Sequence, residues 1–181
     1  MGWKIEGENT LIEFRVKKFW GLVKVRGKMT MRLANFNLEG VNPGNWSVYA
    51  EIDPASVNTG NARRDKHLKT ADFFEVERYP LITFRSASIE QSDETHLSVK
   101  GGLTIRNITR TVTLDVTLIE ESNIEAPQFR AATTLLRRDF GLNFNRMPIG
   151  REVEISVQVK ALNYSAALHL AKSYESRVGL N

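Results

Sequence analysis

Apolar and polar residues alternate with a period of two along most of this chain. In the cleanest row, residues 152–161, apolar residues at odd positions alternate with charged and polar residues at even positions. Because successive side chains of a strand point to opposite faces, such a row predicts a strand with one buried and one solvated face. Antiparallel sheets allow this arrangement, so the pattern predicts an all-β fold.

Turn-forming residues separate the alternating rows at 6–9, 41–45, 91–94, Gly101-Gly102 and 126–127. They leave roughly eight strands with mostly hairpin-length connections, which favours an up-and-down barrel or a sandwich. A barrel of eight strands is either just filled by side chains or holds one small ligand. If the rows share one interior, these side chains line it: Phe14, Val16, Val25, Ile52, Phe84, Leu103, Val112, Leu114, Phe129, Ile155 and Val157.

A polar, basic segment at residues 59–80 interrupts the strand pattern. Long insertions without strands are uncommon in compact β domains and are often functional. Asn61 can cap a helix, which we expect at about 61–71. We call residues 61–74 the lid and predict that it lies against the barrel with Phe73 and Phe74 buried. Hydrogen bonds and ion pairs of three of its residues, Arg64, Asp65 and His67, are expected to hold it there.

The length of 181 residues indicates about one domain. We assign residues 1–164 to the barrel and residues 165–181 to a C-terminal helix or tail. The absence of cysteine excludes disulfides, thiolate metal sites and a cysteine nucleophile. No apolar run approaches the roughly 20 residues of a membrane helix. The first residues enter a strand pattern directly, so a cytoplasmic location is expected unless a leader was removed.

Basic residues are concentrated near the N-terminus. No acidic residue lies between Glu13 and Glu39, a stretch that carries seven lysines and arginines. A basic face suits an anionic partner such as a membrane surface, a nucleic acid or a phosphorylated ligand, or it is simply solvated. Nucleic-acid platforms place aromatic and basic residues on one face. Here Phe14 and Val16 alternate away from Arg15 and Lys17, which favours a membrane surface over nucleic acid.

The residues that could carry catalysis are scattered. The three histidines, His67, His96 and His169, lie far apart and lack metal-ligand spacing. No nucleophile elbow and no phosphate-binding glycine loop is present. The sequence therefore predicts a protein without catalytic residues or a metal site.

Large apolar residues occur in loops and at strand ends. They either plug the ends of a barrel or form the mouth of an apolar cavity, since barrel mouths are common ligand sites. The residues concerned are Phe19, Trp20, Phe36, Phe73, Phe74, Phe140 and Phe144.

The chain resembles the YceI-like family of lipocalin-like polyisoprenoid-binding proteins over about residues 3–162. The most specific resemblance is the series Arg64-Asp65-x-His67-Leu68, Asp72-Phe73-Phe74 and Tyr79-Pro80. Less specific matches are Trp3-Lys4-Ile5, Gly102-Leu103-Thr104-Ile105-Arg106 and Arg138-Asp139-Phe140-Gly141. Two features depart from the family: Lys18 stands where a histidine is frequent, and the loop at Phe19-Trp20 is bulkier.

The resemblance implies an eight-stranded antiparallel barrel that binds a long apolar chain, such as a polyisoprenoid or a quinone-like lipid, and implies no catalysis. A homodimer is compatible with the sequence. On this basis we predict an apolar ligand-binding set: Phe14, Val16, Phe19, Trp20, Val25, Phe36, Phe73, Phe74, Phe84, Leu103, Phe140 and Phe144. A charged head group would need cations at the mouth, because a desolvated phosphate is costly unless paired. The candidates are Lys18, Arg63, Arg64 and Arg146.

Overall fold

The computed structural model describes residues 2–5, 10–18, 22–37, 42–93, 95–119, 128–144 and 149–160. Their strands are β1 (Gly2–Ile5), β2 (Thr10–Lys18), β3 (Val23–Asn37), β4 (Ser47–Asn58), β5 (Ile82–Gln91), β6 (His96–Ile105), β7 (Ile108–Ile119), β8 (Gln128–Leu136) and β9 (Ile149–Lys160). One α-helix, α1 (Ala62–Leu68), and two 3₁₀ helices, Pro43–Asn45 and Arg137–Phe140, complete the described elements. Segment 165–181, expected to be a helix or tail, lies outside these residues.

Eight antiparallel strands close into a barrel, as predicted. Neighbours pair in the order β3, β2, β9, β8, β7, β6, β5, β4, and pairing between β3 and β4 completes the ring. Strand β1 is a ninth segment, which pairs with the end of β3 on the same edge as β2. The long strand β3 therefore carries two short partners in succession along one edge.

The side chains of the alternating rows point inward and outward as the period of two predicts. All eleven side chains expected to share one interior line the lumen. The intervening charged residues, such as Arg15, Glu152 and Glu154, are exposed on the outer wall. The register inferred from the sequence is therefore correct on every strand that the prediction covered.

The turn predicted at Gly101-Gly102 is wrong. Both glycines lie inside β6, paired with β5 and β7, and the β6–β7 turn follows at Arg106-Asn107. Gly101 faces the lumen, where a Cβ would lie 2.7 Å from the ring of Phe84 and 2.4 Å from the carbonyl oxygen of Arg85. Glycine in a strand can mark such a close approach as well as a turn.

Gly27, on the opposite wall, also allows the close approach of a phenylalanine ring. Gly27 of β3 pairs with Phe14 of β2, and a Cβ at Gly27 would lie 2.2 Å from the Phe14 ring. In both places a phenylalanine ring lies over the bare backbone of its neighbour. The rings therefore cover the barrel wall at positions where the chain carries no side chain.

Replacing Gly101 with alanine is expected to lower the free energy of unfolding by about 1–3 kcal/mol, the usual cost of overpacking. The new methyl group would collide with backbone, which moves less easily than a side chain. The adjacent Gly102→Ala is the matched control, since its Cβ would meet only a methyl of Thr109 at 3.3 Å. We expect that variant to stay within about 0.5 kcal/mol of the parent in urea denaturation. Equal stability of the two variants would contradict the close approach at Gly101.

The two ends of the barrel differ. Antiparallel connections bring residues 59–81, the β6–β7 turn and residues 137–144 to one end, which we call the lid end. The 3₁₀ helix Pro43–Asn45 and the β5–β6 turn lie at the other end. Helix α1, the longest helix of the described residues, is far too short and polar to span a bilayer.

Candidate functional site

A cavity of about 950 Å³ runs inside the barrel. This volume is at the upper end of the range of about 300–1,000 Å³ found for small-molecule sites. On β6 the lining extends from Leu97 to Ile105, which is about 26 Å along a strand at about 3.3 Å per residue. The cavity is therefore long as well as large, and it suits an extended molecule.

The lining is apolar except near the lid end. Its polar side chains are Thr59, Asn61, Arg63, Arg64, His67, Thr133 and Arg137, and none of the lining residues carries a carboxylate. Thr133 lies halfway along β8, whereas the other six belong to segments at the lid end. The cavity thus has a long apolar part and one basic end.

Ten residues of the predicted ligand-binding set line the cavity: Phe14, Val16, Val25, Phe36, Phe73, Phe74, Phe84, Leu103, Phe140 and Phe144. Phe19 and Trp20, the other two, lie outside the described residues. Phe73 and Phe140 are buried and also face the cavity, so the same rings close the lid end and line it. Contact between these residues and a ligand stays a prediction.

Two of the four predicted head-group cations, Arg63 and Arg64, line the cavity. Lys18 is the last residue of β2, and its side chain is not among those described, while Arg146 lies outside the described residues. Arg63 is exposed and Arg64 is half-buried, so both reach the rim of the cavity.

Arg137 and Trp46 also line the cavity, although neither was among the residues predicted for the site. Arg137 follows the inward row of β8 at 129, 131, 133 and 135 by one further step of two, and Trp46 precedes the inward row of β4 in the same way. The alternation could have identified both residues if it had been extended one step past the last apolar position.

Hydrogen bonds to Thr59 hold the beginning of the lid. One oxygen of Asp65 accepts bonds from the Thr59 amide at 3.0 Å and from its hydroxyl at 2.5 Å. Arg64 donates from Nε to the Thr59 hydroxyl oxygen at 2.6 Å and from Nη2 to the Thr59 carbonyl at 2.9 Å. Asn61 caps α1 by accepting from the Arg64 amide at 3.0 Å. Two of the three residues expected to hold the lid, Arg64 and Asp65, thus fix it to Thr59, directly after β4. His67, the third, pairs with Asp72 inside the lid.

Helix α1 ends at Leu68, three residues before the predicted end. The Thr70 hydroxyl donates to the carbonyl oxygen of His67, and the Phe74 amide donates to that of Leu68. Side-chain bonds of this kind compete with helix continuation. The turns that follow place Phe73, which is 7% exposed, inside the barrel end, whereas Phe74 is only half-buried.

His67 lies in the middle of the lid. Its Nε2 is 2.7 Å from Oδ2 of Asp72, and its ring meets Phe73 and Phe144 edge-on at centroid distances of 5.2 and 4.8 Å. Phe73 and Phe144 are themselves 5.2 Å apart. These three rings, which we call the aromatic cluster, join the lid to the segment after β8.

Replacing Asp65 with alanine is expected to loosen the lid. The change removes the acceptor for two donors of Thr59, and a lost hydrogen bond to a charged group typically costs about 1.5–3 kcal/mol. Amide hydrogen exchange over residues 62–68 should become faster, while the strands stay protected. Lys66→Ala is the control, because Lys66 is exposed on the same helix. Unchanged exchange in the Asp65 variant would show that the lid is held by other contacts.

Arg137 is buried, with 5% of its surface exposed, where β8 passes into the 3₁₀ helix. Its guanidinium donates from Nε to the carbonyl of Gly150 at 2.9 Å, from Nη1 to that of Leu142, and from Nη2 to that of Ile149 at 3.5 Å. Burial lowers the pKa of Arg137, and the positive charge of Arg138 lowers it further. The side chain is therefore held in one place by the ends of neighbouring segments.

A family model described as a YceI-like domain matches residues 3–161. A UPF0312 protein of Pseudomonas paraeruginosa is 31% identical over 161 residues, covering 87% of this chain and 83% of that protein. Protein YceI of Escherichia coli O157:H7 is 30% identical over 161 residues, again covering 87% of this chain and 83% of that protein.

Solved structures share the fold. The crystal structure of BcnA from Burkholderia cenocepacia has a TM-score of 0.78 at 22% identity, covering 87% of this chain and 99% of that one. A polyisoprenoid binding domain from Saccharophagus degradans, implicated in plant cell wall breakdown, has a TM-score of 0.64 at 13% identity, covering 88% and 96%. At these identities the likeness concerns the architecture of the barrel.

Proposed function

Because the chain belongs to the YceI-like domain family, we propose that it is a non-enzymatic carrier of one long apolar molecule. The observation that carries this proposal is the elongated apolar cavity inside the barrel. The ligand class we propose is a polyisoprenoid, a quinone or a related lipid. The structurally similar domain from Saccharophagus degradans, described as polyisoprenoid binding, supports that choice.

The chemistry of the lining supports binding by burial. Each buried methylene contributes about 0.8 kcal/mol, so a long chain gains affinity from length alone. The few polar side chains are gathered near the lid end, apart from Thr133. This distribution fits an amphipathic molecule whose tail occupies the barrel and whose head lies under the lid.

A catalytic use of the same cavity is the competing proposal. The ionisable side chains of the described lining are three arginines and His67. General acid–base and nucleophilic catalysis usually need a base beside the reacting group or an activated nucleophile. His67 instead pairs with Asp72 on the lid surface and packs against two phenylalanine rings. The composition of the lining therefore favours the carrier.

The carrier proposal is tested by mass spectrometry of an organic extract of gently purified protein. We expect one or a few long-chain lipids in near-stoichiometric amount, and a native mass that exceeds the chain mass by the same amount. Protein that has been denatured, extracted and refolded is the control, and it should rebind the recovered lipid. A native mass equal to that of the bare chain, with no uptake after refolding, would contradict the proposal.

We also propose that the lid end approaches anionic membranes, where such a ligand resides. Leu22, 86% exposed, and Val23, 46% exposed, lie at this end, where Val23 is the first residue of β3. A groove on the adjoining outer wall is lined by five basic and two acidic side chains: Arg15, Lys17, Lys24, Arg26, Arg151, Glu152 and Glu154. An exposed apolar tip beside a basic wall suits an anionic bilayer surface, where each basic residue contributes about 1 kcal/mol.

Lys24→Glu is expected to weaken flotation with liposomes that contain phosphatidylserine, because it reverses a charge beside the apolar tip. High salt should weaken binding of the parent protein too, since the screening length falls from about 10 Å at 0.1 M to about 3 Å at 1 M. Lys100→Glu is the control, because Lys100 is exposed on β6, away from the β2–β3 hairpin. Equal flotation of both variants, or flotation that ignores salt, would remove the membrane proposal.

A further inference from the structure

We propose that Arg137 binds an anionic head group of the ligand, a carboxylate or a phosphate, at the lid end of the cavity. This inference rests on the proposed function and names the chemistry of one end of the ligand. The head group would then contact a side chain inside the barrel end, whereas the candidates chosen from the sequence that the structure describes lie at the rim.

The buried charge of Arg137 favours an anionic ligand. Arg137 is 5% exposed, and arginine stays protonated in proteins. The ion pairs among the described residues do not include it. The stretch 145–148, between Phe144 and Ile149, contains no acidic residue. A buried charge without a counter-charge is costly, so an anion brought by the ligand would relieve that cost.

Arg137 has more N–H donors than its described carbonyl partners use. A guanidinium has five N–H groups. Among the described residues its partners are three carbonyl oxygens, one for each nitrogen. One N–H on each terminal nitrogen remains beyond those bonds, and such a pair can bind a carboxylate or phosphate in a bidentate manner. The three carbonyls also hold the guanidinium in place before any ligand binds.

Arg137 lies where the apolar cavity reaches the lid end. It lines the same cavity as the apolar rows and continues the inward row of Thr133 and Leu135 by one step past the end of β8. Arg64 already donates from two nitrogens to Thr59, and Arg63 is exposed at the rim. A small carboxylate would therefore be bound by Arg137 alone. A larger phosphate could meet Arg137 and the rim arginines together.

The experiment compares three probes with one chain and different heads: geranylgeranoic acid, geranylgeranyl diphosphate and geranylgeraniol. Dissociation constants are measured by calorimetry on delipidated protein. The wild type should bind an anionic probe at least about tenfold more tightly than the alcohol, a difference of about 1.4 kcal/mol. Arg137→Met should remove that preference and leave alcohol binding unchanged. Arg138→Met, at the exposed neighbour, should keep it.

A second measurement tests whether Arg137 contacts the head group or only stabilises the fold. With carboxyl-labelled geranylgeranoic acid, ¹³C NMR gives the pKa of the bound acid. A guanidinium beside the carboxylate lowers that pKa, whereas an apolar cavity without one raises it. We expect a bound pKa below that of the free acid in the wild type and above it in Arg137→Met. If Arg137→Met does not fold, Arg137→Lys replaces it and should show a smaller preference for the anionic probe.

The outcomes are distinct. If all three probes bind the wild type equally, or if the acid bound to the wild type has a raised pKa, Arg137 does not bind the head group and the carrier proposal stands. If the preference survives in Arg137→Met and disappears in Arg64→Met, the head lies at the rim and the inference is wrong. If no probe binds and no lipid is extracted, the carrier proposal fails and this inference fails with it.

Discussion

Ala131→Trp is expected to weaken lipid binding at least about tenfold, which corresponds to about 1.4 kcal/mol of binding free energy, and so to lower the amount of co-purified lipid. Ala131 lies on β8, lines the cavity and pairs with Val157 across the wall. An indole at this position would occupy the middle of the lumen. Because the cavity has room for the new ring, we expect the stability of the barrel to change little.

Ala132→Trp is the matched control for this experiment. Ala132 is the next residue of β8 and pairs with Asp115 and Ser156 rather than with lining residues. The same chemical change then adds its bulk to the outer wall, and lipid content should be that of the parent. The measurement is extraction and quantification of lipid per mole of protein. Equal lipid content of both variants would mean that the ligand does not occupy the lumen.

Phe140→Ala is expected to lower the free energy of unfolding by about 3–5 kcal/mol, the usual range for removing a buried phenylalanine. Phe140 is 2% exposed and packs in the core beside the lid end. Its loss would also loosen the 3₁₀ helix that begins at Arg137. Guanidinium denaturation of delipidated protein measures the effect without a contribution from bound lipid.

The control for Phe140 lies four residues earlier. Leu136 ends β8 with 48% of its surface exposed, so Leu136→Ala should change stability by no more than about 0.5 kcal/mol. A loss below about 1 kcal/mol for Phe140→Ala would contradict its role in closing the barrel, since core truncations of this size typically cost more.

The barrel and its inner face could be predicted because a period of two is a local signal. A strand that separates core from solvent must alternate, so each row indicates its own inward side chains. The turn expected at Gly101 is wrong because a glycine in the sequence is compatible both with a turn and with a strand position where Phe84 needs the space of a side chain. Only the neighbouring strand distinguishes the two uses, and that neighbour is not adjacent in sequence.

The basic end of the cavity was harder to predict. Arg63 and Arg64 were identified because they belong to a distinctive segment, whereas Arg137 follows a strand and has the residue type of a surface position. Its guanidinium is held by carbonyl oxygens of Leu142, in the connection after β8, and of Ile149 and Gly150, at the start of β9. The alternation of β8 extended by one step indicates that Arg137 points inward, but no local pattern in the sequence indicates its tertiary hydrogen bonds.

The two glycines beneath Phe14 and Phe84 have a consequence for selectivity. Gly27 and Gly101 lie on inward-facing rows, yet neither lines the cavity, because a phenylalanine ring covers each of them. The width of the lumen therefore depends in part on two residues outside the cavity lining. In a relative with alanine in place of Gly27, the ring of Phe14 would have to move toward the lumen and narrow it, although no residue of the cavity lining had changed.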